Sequence, residues 1–182
     1  MNVKIIILAV CVTAQGHLAS AQTAATPAKN PAPACSMCNA PTNEQTRMAG
    51  VNDRGALGMG FSQTATTHHF LLTSQGGFIQ VEANVSTDVV DRDEIRLHLS
   101  HIAKAFGSGN FDIPMFVHAV TPPGVPAMKR LKEQVDYAFE ETPNGGRVKI
   151  RTSNAEALHA VHEFLQFQIR DHKTGDPLEI TQ

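Results

Sequence analysis

Apolar and polar positions alternate along two stretches of the chain, and each stretch is broken in the same way. Phe70, Thr73, Gly76, Gly77, Ile79 and Val81 recur, at identical spacing, as Phe139, Thr142, Gly145, Gly146, Val148 and Ile150. A period of two flanking a Gly-Gly pair predicts a β-hairpin in each case. After each hairpin the period lengthens to that of a helix. Ile95, Leu99, Ile102 and Phe106 form one apolar stripe, and Leu158, Val161 and Leu165 another. Asp91 with Glu94, and Ser153 with Glu156, have capping-box spacing and predict helix starts near 91 and 153. Within these helices Leu97, His98, His101 and Phe106 match Leu158, His159, His162 and Phe167, again at equal spacing. The pattern therefore predicts a duplicated β-β-α unit, at about 67 to 107 and 134 to 172.

One half alone is too short to bury its own apolar face, so the two are expected to share one antiparallel sheet with both long helices on one side, an α+β fold. Between the halves, the short apolar run at 115 to 120, closed by Thr121-Pro122-Pro123, reads as an extra strand. A short connecting helix is expected over 126 to 132.

The first part of the chain differs in character. Lys4, the apolar run at 5 to 14 and Ala19-Ser20-Ala21 before Gln22 have the three parts of a secretory signal, placing it at 1 to 21. That run is about half the length needed to cross the ~30 Å apolar core of a bilayer, and no later stretch exceeds it. Residues 22 to 55 are dominated by Ala, Pro and small polar residues and read as a flexible tail, leaving 56 to 182 as the folded domain. The signal implies a periplasmic or extracellular protein with no transmembrane segment after cleavage.

With a net charge of -2 and no stripe of Lys and Arg, the footprint of a nucleic-acid binder is missing. Nucleophile-elbow, zinc-protease, phosphate-loop and haem-attachment motifs are absent as well. What the sequence does offer is histidine, nine in all and eight of them beyond the signal. His98 and His101 lie one helical turn apart on the flank of the apolar stripe. His68 and His69 head the first strand, where only one of them can face the helices, and His118 falls in the extra strand. Together these supply the three or four nitrogens that zinc or copper sites use. Met115, Met128, Cys35 and Cys38 add soft donors, although in an oxidising compartment Cys35 and Cys38 also read as a disulfide.

The combination of Thr67-His68-His69-Phe70, His98-x-x-His101, Pro122-Pro123-Gly124-Val125-Pro126-x-Met128-Lys129-Arg130 and the segment from His162 through His172 to Asp176-Pro177 resembles a group of exported bacterial proteins. The resemblance implies export and carries no activity or ligand with it. Three readings follow from the residues. The first is a copper- or zinc-binding protein using the histidine cluster. The second is a metal-free module that binds a small molecule or a protein, and the third a small hydrolase or redox enzyme using the same histidines. Whether a second copy of the chain completes the duplication, as a homodimer, is left open by the pattern.

Overall fold

The structure, a computed structural model, describes residues 42 to 180. The signal, the first part of the tail and the pair Cys35 and Cys38 lie outside the described residues. The elements run in the order α1 (Asn43–Met59), β1 (Thr66–Thr73), β2 (Gly76–Ala83), α2 (Val89–Gly107), α3 (Asp112–His118), α4 (Val125–Arg130), a 3-10 turn (Lys132–Gln134), β3 (Asp136–Thr142), β4 (Gly145–Arg151) and α5 (Ala155–His172). The fold is α+β, as the pattern predicts, with a β-β-α order that occurs twice. Among the described residues no helix is long and apolar enough to cross a membrane.

The four strands form one antiparallel sheet in the order β1-β2-β4-β3. Gly76 and Gly77 on β2 face Arg151 and Ile150, Ile79 faces Val148, and Val81 and Glu82 face Gly146 and Gly145. Under the sequence correspondence of Gly76 with Gly145, this register is its own image under a half-turn about the Ile79–Val148 pair. The glycines make the central pairing possible. A Cβ on Gly76 would lie 2.1 Å from the Ile150 carbonyl oxygen, and one on Gly145 2.2 Å from that of Val81.

Alternation puts Phe70, Leu72, Ile79, Val81, Val148 and Ile150 on one face, all buried, and α2 and α5 cover that face. Each helix crosses onto the hairpin of the other half: α2 lies on β3 and β4, and α5 on β1 and β2. Polar clamps fix both crossings. Arg96 on α2 donates to the carbonyls of Gly145 and Thr142 at 3.0 and 2.7 Å, and His162 on α5 donates from Nε2 to those of Thr73 and Gly76 at 2.9 and 3.1 Å. The expected stripe of Ile95, Leu99, Ile102 and Phe106 is buried.

Several expectations are corrected. Residues 43 to 59, expected as tail as far as 55, form α1. Its start is held by a capping box between Thr42 and Gln45, its end by Gly60 at φ 84°, and its inner side by Val51, which is fully buried. Residues 115 to 120, expected as a strand, belong mostly to α3, whose buried Pro114, Val117 and His118 have helical i, i+3, i+4 spacing. The Asn110 side chain accepts from the Asp112 amide at 2.8 Å and turns the chain into that helix. The N-cap of α2 is Asp88, three residues before the expected Asp91, whereas that of α5 is Asn154, next to the expected Ser153. The short connecting helix is present as α4.

Candidate functional site

Register decides which of the paired histidines turns inward. His68 shares the helix-facing row with Val81, and His69 projects from the opposite face. There His69 Nδ1 meets Asp176 Oδ1 at 2.9 Å, and Asp176 Oδ2 accepts from the Phe70 amide at 2.9 Å. Burial alone would raise the Asp176 pKa, but the bonds from Thr174, the Phe70 amide and His69 outweigh it and leave the carboxyl below its ordinary range. His69 is thus part of a surface clasp on β1.

Inside, His68 begins a chain of ring contacts that reaches three helices. Its ring stacks on that of His172, at the end of α5, with centroids 5.6 Å apart and planes 3° from parallel. His172 in turn lies 5.0 Å from His118 of α3, edge to face. His98 of α2 meets Phe61 at 5.6 Å, and Phe61 also lies against His68. These four imidazoles line one cavity of about 60 Å³ between the sheet and the helices. The rest of its wall is apolar and includes Phe70, Leu99, Ile102, Phe106 and Phe164, with Gln168 as the remaining polar residue and no charged side chain.

Burial sets the electrostatics. It lowers the pKa of His68 and His98 to about 4 and that of His172 to about 3, with neighbouring imidazoles adding to the effect. All three are therefore neutral at pH 7. His118 is held differently, because its Nδ1 donates to Asp171 Oδ2 at 2.5 Å while Arg47 of α1 donates to Asp171 Oδ1. Desolvation would raise the Asp171 pKa, yet the bonds from His118 and Arg47 lower it overall. The Nε2 of His118 lies 2.8 Å from Gln168 Oε1. In that orientation the other end of the Gln168 amide, its Nε2, is buried without a partner, and so is Nε2 of His68. If the amide turns over, Gln168 donates to His118 and its oxygen is the end left over, so one polar atom of Gln168 is unpaired either way.

The histidines expected as metal ligands are thus distributed rather than gathered. His68, His98 and His118 line the cavity, whereas His69 is on the other face of the sheet and His101 is exposed. Met115 accepts from Lys129 at the surface, and Met128 is buried in the core away from the cavity wall. Among the described residues no group of three or more His, Cys, Asp or Glu side chains is placed to hold a metal ion. Residues not expected at the site are His172, Gln168, Asp171, Arg47 and Phe61. A signal for two of them was present, because Val161, Leu165, Gln168 and His172 continue one buried stripe when α5 is carried through to 172. His159, the repeat counterpart of His98, is exposed.

The chain matches no family model, and no curated protein or solved structure matches it.

Proposed function

We propose that the domain is a binding module, working outside the cytoplasm, that takes a small organic molecule into the histidine-lined cavity. The observation that carries this reading is the pair of buried, unpartnered polar atoms, His68 Nε2 and one end of the Gln168 amide, in a wall that is otherwise apolar. A buried polar atom without a partner costs about 1–3 kcal/mol. A guest with an apolar body and a hydrogen-bonding group would recover that cost. Pre-formed concave sites with a few convergent polar groups are the usual form of small-molecule sites. The neutral state of His68, His98 and His172 suits an uncharged guest. Export is supported by the leader pattern at 1 to 21 and by the resemblance to exported proteins.

The test is to purify the protein without a metal-binding tag, denature it, and analyse the released material by mass spectrometry and elemental analysis. We expect a near-equimolar organic molecule that is missing from the His68→Leu/Gln168→Leu variant. Stoichiometric copper or zinc with no organic component would overturn this reading and favour metal binding.

A further inference from the structure

The stacked pair of His68 and His172 has two sides. One lines the apolar cavity, and the other lines a separate depression of about 190 Å³ whose remaining wall is Asn52, Gln63, Thr66, Thr67 and Thr174. That wall contains hydroxyls and amides and no charged side chain.

Its free hydrogen-bonding capacity leans towards acceptors. The Thr66 hydroxyl donates to the Ser62 carbonyl at 2.8 Å and that of Thr67 to Asn84 Oδ1 at 2.6 Å, so each has spent its one proton and keeps lone pairs. Gln63 directs its nitrogen at the Met59 sulfur and keeps its oxygen free, and the Asn52 amide has no partner among the described residues. An anion would meet many lone pairs and few donors there, and a cation would meet no carboxylate. A group carrying several hydroxyls can donate to every one of these oxygens and accept from Asn52. On the inner side, the cavity is well under half the size of the engineered cavity of about 150 Å³ that admits benzene, so it suits a short alkyl group.

We propose that the ligand is an uncharged molecule with two parts, a polyhydroxylated head of the sugar or polyol class in the threonine and amide depression and a short apolar group in the inner cavity, joined past the edge of the His68–His172 pair. This rests on the binding-module reading and deepens it. The two imidazoles border both spaces, and the unpartnered Nε2 of His68 is the polar atom that a linking oxygen or hydroxyl would satisfy.

The experiment uses the purified full chain and n-propyl β-D-glucoside, with 1-propanol, glucose, propanoate and propylammonium as matched probes, followed by NMR of side-chain methyls and backbone amides. The expected result is that the glucoside shifts the methyls of Ile79, Val81 and Leu99 together with the amides of Thr66, Thr67 and Thr174. It should also bind at least tenfold more tightly than 1-propanol or either ionic probe. An Asn52→Ala/Thr174→Val variant, its fold verified by the same spectra, should lose that advantage while 1-propanol binding stays unchanged. Equal affinity for the glucoside and 1-propanol, with only inner methyls moving, would overturn the two-part ligand and leave the cavity as a site. Preference for propanoate or propylammonium would overturn the uncharged class. If no probe moves the inner methyls, the binding-module reading falls with it.

Discussion

Asp171 shows how one carboxylate joins three helices. It sits on α5 and accepts from His118 of α3 and Arg47 of α1, and it is buried. Replacing it by Asn keeps the shape but removes the charge that both donors face. Breaking such a buried pair costs about 3–5 kcal/mol, and partial rescue by the amide should bring Asp171→Asn near the lower end in urea unfolding. Arg47 is half exposed, so Arg47→Ala should cost about 1 kcal/mol or less in the same assay. Nothing in the spacing of the sequence could pair residues 47, 118 and 171, because the contact is tertiary. His98 was legible as a flank position on a helical stripe, and the alternation rule implied that only one of His68 and His69 points inward. Which one it is depends on strand register, fixed here by the Phe70–Ile79 pairing.

Among the elements, the hairpins and long helices were legible because their periods are sustained and each is reinforced by a second copy. The helices α1 and α3 were not. Apolar runs as short as that at 115 to 120 do not separate strand from helix by periodicity, and α1 has little apolar pattern to read. Its mean hydropathy is low and its buried residues are Val51 and Gly55, so its order comes from the capping box and from contacts to α3 and α5. Arg54 adds one bond, from Nε to the Val117 carbonyl at 2.9 Å. An element attached this way should open by itself. In hydrogen exchange followed by mass spectrometry, Val51→Ala is expected to raise exchange across 43 to 59 by tenfold or more, with β2 and β4 unchanged; equal acceleration in the strands would show that α1 unfolds only with the whole. At the other end of the scale, the start of α4 is fixed by close approach. Gly124 has φ 80°, and a Cβ there would fall 2.0 Å from the Ala160 carbonyl oxygen. Gly124→Ala should therefore displace α4 from α5 and lower stability by about 2 kcal/mol or more, read as a fall in Tm.

At the scale of the molecule, the crossing of α2 and α5 means that each long helix lies mainly on the hairpin of the other half, which is why the duplication reads as one domain. The crossing also brings His68 and His98 from one half to His172 from the other, with His118 from the connecting segment, and sets them around one cavity where the halves meet. The consequence is acid sensitivity with a definite sign. Unfolded, each imidazole titrates near the ordinary 6.5, whereas folded His68 and His98 titrate near 4 and His172 near 3. Above pH 6.5 both states are neutral at these groups and no stability is lost. Below it the unfolded chain takes up protons that the folded chain refuses, so stability falls from about pH 6.5 until the folded groups also protonate near pH 4 to 3. Each such group contributes a slope of up to about 1.4 kcal/mol per pH unit, so the three together make about 4 kcal/mol per unit in the middle of the window. Asp171 and Asp176, held ionised in the fold, extend the loss at the acid end. Urea unfolding at a series of pH values should show this steep decline between 6 and 4. His172→Phe, which keeps a ring against Phe70 and His68, should flatten it by about one proton's worth and leave stability at pH 7 unchanged or higher. An unaltered slope in that variant would mean that His172 is protonated in the folded protein at these pH values, and the collar of neutral imidazoles around the cavity would have to be abandoned.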